Sequence, residues 1–191
     1  MRAALDAMAD AGPMPALAVF DLDYTLWPLW VDTHVDTPLR RSPPDAINRV
    51  TDPSGYVLSF YPHVPTILLW LKERGIKVAA ASRTCAPNAA KQALRGLTLV
   101  DTRAGNEGKQ VAAITLFDQL EIYPGSKITH MRKIAAGMGH EFEEFIFFDD
   151  EHRNAEVERQ LGVLFVDVPD GVTLESFKRG ISAWRRRQGS L

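Results

Sequence analysis

One cysteine, Cys85, occurs in 191 residues. No internal disulfide can form, and a zinc site built from several thiolates is excluded. Positive charge is also not in excess: 22 lysines and arginines face 24 acidic residues, for a net charge of −2. Such a chain has no basic field to grip a phosphate backbone, so nucleic acid is not an expected partner. No apolar run approaches membrane-spanning length, and Asp6 and Asp10 break the apolar positions where a secretory leader needs an unbroken core. Neither a membrane anchor nor a targeting segment is expected, and the cytoplasm is the expected compartment. The 5 histidines show no paired metal spacing, and no internal repeat or low-complexity tract occurs.

What the chain does have is the composition of an ordinary soluble globule, 46% hydrophobic and 24% charged. It is long enough to bury one sheet between two helix layers. Residues 16–20 are a continuous apolar run ending at Asp21, the pattern of a strand buried on both faces. Residues 65–74, with Ile67, Leu68 and Leu71 before Gly75, predict a helix, and 77–81 a second buried strand. Residues 87–94 predict a helix with proline in its first turn. Ser126 suits the N-cap of a helix through Met138 whose inner stripe is Ile128, Met131, Ile134 and Ala135. A third strand follows at 145–148, a helix at 153–161 closed by Gly162, a fourth strand at 163–168 and a last helix at 174–187.

This alternation predicts an α/β fold, a Rossmann-like parallel sheet with helices on both faces and ligands at the carboxyl ends of the strands. Residues 15–191 are expected to form one domain, preceded by a leader at 1–14 that is either a short helix or a frayed end. Two stretches break the pattern. Residues 31–60, with Pro38, Pro43, Pro44 and Pro53, read as a looping flap with room for a hairpin. Residues 97–116, around Gly105, Asn106 and Gly108, read as an excursion without a clear period.

Chemistry begins where the first strand ends, at Asp21-Leu22-Asp23-Tyr24-Thr25. Alternate residues at a strand exit can reach one crevice, so two carboxylates arrive together. Asp21 fits a nucleophile toward phosphorus once cations neutralise the phosphoryl oxygens, and Asp23 fits the acid that protonates the leaving oxygen and then deprotonates water. Later strand exits carry Ser82-Arg83, then Lys127, then Asp149-Asp150. Ser82 and Arg83 can cradle phosphate, Lys127 supplies a fixed charge, and the acidic pair supplies oxygen to a cation. Magnesium takes one or two carboxylates plus substrate phosphate, which Asp21, Asp150 and a phosphoester offer.

Four motifs in this order resemble the haloacid dehalogenase superfamily: Asp-x-Asp-x-Thr, a Ser/Thr, a Lys and a terminal acidic pair. The segments FDLDYTLWPLWVDTHVDTP, AAASRT, EIYPGSK and FFDDE are similar, more narrowly, to the magnesium-dependent phosphatase-1 family, over residues 16–185. The resemblance implies a cytosolic phosphomonoester hydrolase with a minimal or absent cap, acting on phosphotyrosine-like esters or protein-linked sugar phosphates. It implies Asp21 as nucleophile and metal ligand, and Asp23 as acid/base that also ligates through its carbonyl. Ser82 and Arg83 would hold phosphate and Lys127 the intermediate, while Asp150 would bind magnesium with Asp149 behind it. The segment before Pro15 and the 97–116 excursion depart from the family pattern.

Plainer readings stand beside these. Asp21 and Asp23 can be a solvated turn, Ser82 a helix N-cap, Arg83 the partner of a surface acid, and Lys127 an ordinary first-turn lysine. Asp149 and Glu151 suit capping and support. Trp27, Trp30, Tyr24 and Phe60 read as packing under the flap, with one aromatic free to line the mouth, and Cys85 as a small packed residue. Arg185, Arg186 and Arg187 complement the last helix's dipole. A dehalogenase is disfavoured because carbon–halogen displacement does not need the metal-binding acids. A catalytically idle phosphate or phosphoprotein binder on the same fold is the rival of the enzyme, and a monomer is expected.

Overall fold

Apolar runs bounded by turn signals fold as β1 (Leu17–Phe20), β4 (Lys77–Ser82), β8 (Phe145–Asp149) and β9 (Leu164–Asp167) in the computed structural model, which describes residues 1–189. Together with β7 (Gln119–Ile122) they make a five-stranded parallel sheet in the order β7-β4-β1-β8-β9. The expected α/β architecture is the observed one. Alternate side chains feed two cores. Ala18, Phe20, Val78, Ala80, Ile146 and Phe148 point to one face, and Leu17, Val19, Ala79, Ala81, Phe145 and Phe147 to the other. The first face is covered by α1 (Arg2–Asp10), α2 (Val64–Glu73), α3 (Pro87–Gly96) and α6 (Leu174–Gln188), the second by α4 (Lys127–Met138) and α5 (Glu156–Leu161).

Helix ends follow local chemistry. Ser126 Oγ accepts from Ile128 N at 3.1 Å to start α4, and Gly139 ends it in the left-handed region at φ 69°. Thr173 and Ser176 form a reciprocal capping pair at the start of α6. The helix expected at 153–161 is split: His152–Ala155 is a 3₁₀ turn and only Glu156–Leu161 is α-helical.

Residues 2–10 form a helix whose Leu5 and Met8 are buried. Asp6 accepts from Trp70 Nε1 at 2.9 Å and Arg74 Nη2 at 2.7 Å, fastening α1 to α2. At the other end Arg185 donates to the carbonyls of Met8, Gly12 and Pro13 at 2.7–2.9 Å. This arginine clamps α1 to α6, and its role is more specific than dipole compensation.

The 31–60 segment contains only the hairpin of β2 (Val50–Thr51) and β3 (Val57–Leu58), extended by a bridge from Arg40 to Thr51. There is no cap domain between β1 and α2. In the 97–116 excursion, β5 (Thr98–Val100) and β6 (Gln110–Ala112) pair antiparallel, and a 3₁₀ turn, Ala113–Leu116, drives Ala113 and Leu116 into the core.

Candidate active site

Register decides which side chains meet at the carboxyl edge of the sheet. Phe20 lies level with Ala80 and Phe148, and Asp21 N donates to Phe148 O at 2.9 Å, so the ladder runs one residue past β1. Asp21 therefore emerges between the ends of β4 and β8, beside Ser82 and Asp149. Turns at Leu22–Trp27 bring Asp23 back to the same edge, and α4 starts there with Lys127.

The floor of the site is a buried cluster of charge. Lys127, 1% exposed, donates to Asp21 Oδ1 at 2.6 Å and to Ala81 O, and lies 3.0 Å from Asp149 Oδ2. It is not a surface lysine of a first helical turn. A buried ammonium is tolerated only when paired, and here both its partners are buried carboxylates. Asp149, with no exposed surface, also accepts from Asn154 Nδ2 at 2.9 and 3.0 Å and from Glu151 N at 2.8 Å. Asp150 exchanges two 3.1 Å hydrogen bonds with Thr25, whose hydroxyl donates to Asp150 Oδ1 and accepts from Asp150 N. Asp23 Oδ1 accepts from Trp27 Nε1 at 2.7 Å and Val31 N at 3.2 Å.

Electrostatics explain what this floor can hold. Burial pushes Asp21 well above the usual carboxylate range, against the pull of Lys127. Burial likewise lifts Asp23 to about 6 despite its bonds to Trp27 and Val31. Asp150 also rises to about 6, through burial and the neighbouring charge of Asp149. Burial would lower Lys127, but the charges of Asp21 and Asp149 outweigh it and hold the ammonium protonated. Asp21, Asp149 and Asp150 present oxygens within 4.8 Å of one another. One ammonium thus faces three carboxylates, and a hard divalent cation would neutralise the surplus; the oxygen-only donor set fits such an ion.

Asp21, Asp23, Ser82, Arg83, Lys127 and Asp150 all line one cavity of about 170 Å³, together with Trp30, Asp32, Thr84, Glu151 and Arg153. Asp149 lies behind the wall. Ser82 is buried and does not cap α3, whose N-cap residue is Ala86. Arg83 Nη1 donates to Asn154 Oδ1 at 3.3 Å, so its partner is an amide rather than a surface acid. Cys85 is exposed, its Sγ 3.3 Å from Asp32 Oδ2, which corrects the expectation of a packed thiol. Of the aromatics, Trp27 is buried and stacked on Phe60, whereas Trp30 is 51% exposed and lies at the mouth, stacked on His34.

Sequence reading missed Asn154 and Asp32. Asn154 joins Arg83 to Asp149, five residues beyond it. Asp32 ties the flap to the loop after β4 by accepting from Thr84 Oγ1 at 3.3 Å. Asn154's spacing from the acidic pair was a visible signal; Asp32 gave none, because its contact spans 52 residues.

Comparison with known proteins converges on the same segments. The acid phosphatase family model matches residues 13–187. Magnesium-dependent phosphatase 1 of Homo sapiens is 40% identical over 175 residues, covering 92% of this chain and 90% of that protein. A HAD-like hydrolase superfamily protein of Schizosaccharomyces pombe is 43% identical over 153 residues, 80% of this chain and 85% of its own. Among solved structures, a HAD-superfamily hydrolase from Ehrlichia chaffeensis aligns with a TM-score of 0.58 at 11% identity, over 91% of this chain and 99% of that one, a likeness of fold. Because the matched span takes in all five strands of the parallel sheet and every residue of the cavity, the chain belongs to the acid phosphatase family.

Proposed function

We propose that this protein is a magnesium-dependent phosphomonoester hydrolase working through a phospho-aspartate on Asp21. One observation carries the reading: side chains from four separated chain segments, at 21–23, 82–83, 127 and 150, line a single small cavity. Magnesium would be held by the carboxylates of Asp21 and Asp150 and the backbone carbonyl of Asp23, with Asp149 behind them. When bound, the ion neutralises phosphoryl oxygens and so opens phosphorus to an anionic nucleophile.

The chain's own residues do the rest. Lys127 engages Asp21 Oδ1, leaving Oδ2 to attack phosphorus. As the Asp21–phosphorus bond forms and the ester bond breaks, Asp23 gives its proton to the departing oxygen; a carboxyl lifted to about 6 still holds a useful protonated fraction near neutral pH. Asp23 then takes a proton from water as that water attacks phosphorus, which releases phosphate and regenerates Asp21. Ser82 and Arg83 hold the phosphoryl group, and Lys127 balances its charge through both steps.

About 170 Å³ is below the usual size of a pocket that encloses a whole metabolite, and among the described residues no separate cap closes over it. The phosphoryl group enters while the rest of the ester stays outside, which favours bulky or protein-borne esters, phosphotyrosine-like or sugar phosphates. Among the described residues no helix is long and apolar enough to cross a membrane. The protein is read as a cytoplasmic monomer. A panel of phosphomonoesters assayed with magnesium, with chelator and in Asp21→Asn tests the reading. Phosphate release that needs the ion and Asp21, with a phosphate-mass adduct trapped on Asp21, is expected; release untouched by either treatment overturns it, and binding without turnover identifies the idle binder.

A further inference from the structure

Both hydrogen bonds accepted by the Asp23 carboxylate fall on the same oxygen. Trp27 Nε1 reaches Oδ1 at 2.7 Å and Val31 N reaches it at 3.2 Å. The two donors sit four and eight residues downstream, on the stretch leading from β1 into the flap. An indole N–H only donates and cannot turn away without moving its ring. That ring has no exposed surface and stacks on Phe60 at 5.9 Å and 23°. The backbones of Asp23 and Trp27 are themselves paired by an isolated bridge, so donor and acceptor are fixed at both main chain and side chain.

We infer that Trp27 is a positioning residue that pins Oδ1 of Asp23 to the protein, so that Oδ2 is the oxygen offered to the leaving group. The inference rests on the reading of Asp23 as acid and base. A tryptophan buried only for packing also needs a partner for its N–H, but any acceptor would serve. Here the acceptor is the carboxylate that lines the cavity, and a second donor on the same oxygen fixes the plane of the group. Rotation about the terminal carboxylate torsion is otherwise soft, and misplacement of a proton donor costs rate steeply.

The distinction is readable in the leaving group. n-Propyl phosphate departs as an alkoxide and needs a proton in the transition state, whereas p-nitrophenyl phosphate departs as a stable phenolate. In Trp27→Phe, kcat/KM, which runs only to formation of the phospho-aspartate and so leaves out the hydrolysis step the two esters share, is expected to fall about tenfold further on n-propyl phosphate than on p-nitrophenyl phosphate. Asp23→Asn, measured alongside, is expected to fall in the same direction and further. Equal losses on the two esters in Trp27→Phe, with Asp23→Asn still discriminating between them, overturn the positioning role and leave the acid assignment standing. Equal losses in Asp23→Asn remove the acid assignment, and the inference with it. Where Trp27→Phe does not fold, 3-benzothienylalanine at position 27 keeps the shape and lacks the N–H; the same tenfold divergence supports the inference, and its absence overturns it.

Discussion

Floor and rim of the cavity are built on opposite terms. On the floor, Asp21, Asp149 and Lys127 are buried, and each meets an opposite charge at 2.6–3.0 Å. At the rim, Trp30 is 51% exposed, and Arg153 and Glu151 pair with each other at 2.6 Å while both remain open to solvent. Charges on the floor act in a medium that screens them little; those at the rim are screened by water and salt. On the proposed function, the floor sets what reaction is possible and the rim sets which ester is admitted.

The largest test of that division is Asp21→Asn. Phosphate release is expected to fall by at least about a thousandfold, because a carboxamide is no nucleophile, while thermal unfolding shifts little. Lys127→Met sharpens it: activity falls about a hundredfold, and urea unfolding shows a loss of about 3 kcal/mol, because two buried carboxylates lose their counter-charge. Recovery of part of that stability on adding magnesium would show that the surplus charge is what the ion relieves.

Acidity offers a third test. Asp23 and Asp150 titrate near 3.8 when unfolded and near 6 in the folded, metal-free protein, so folding favours their protonated forms. Their contribution is fully present below 3.8 and is lost as pH rises through about 6. Magnesium competes with the proton on Asp150, so the rise in Tm it produces is expected to be larger at high pH than in acid. An equal rise across that range would break the link between the ion and Asp150. The smallest effect belongs to the rim. Trp30→Ala is expected to lower kcat/KM on a phosphotyrosine peptide about tenfold, leave methyl phosphate unchanged and shift stability by less than about 0.5 kcal/mol. An equal loss on methyl phosphate would erase the contrast between rim and floor.

The fold was legible wherever a segment's own chemistry settled its state. β1, β4, β8 and β9 are short apolar runs, and α4 begins at a serine whose hydroxyl caps it. β7 was missed because Gln119 and Glu121 interrupt its apolar side chains, as an edge strand that is only half buried permits. β5 and β6 are three residues each and gain their meaning from pairing with one another. That Asp21, Asp23, Ser82, Arg83, Lys127 and Asp150 would share one cavity was legible because they lie at strand ends or a helix start along one edge of the sheet. Thr84's bond to Asp32 and Arg83's to Asn154 were not, because they join segments 52 and 71 residues apart, a closeness only the folded chain creates.

The grip of Arg185 on the carbonyls of Met8, Gly12 and Pro13 imposes an order on assembly of the fold. Position 185 leaves the ribosome after every residue of the cavity, so the nascent chain can dock α1 against Trp70 and Arg74 early but cannot secure that helix's far end until α6 has emerged. The helix α1 is thus made before the cavity and fastened only after it.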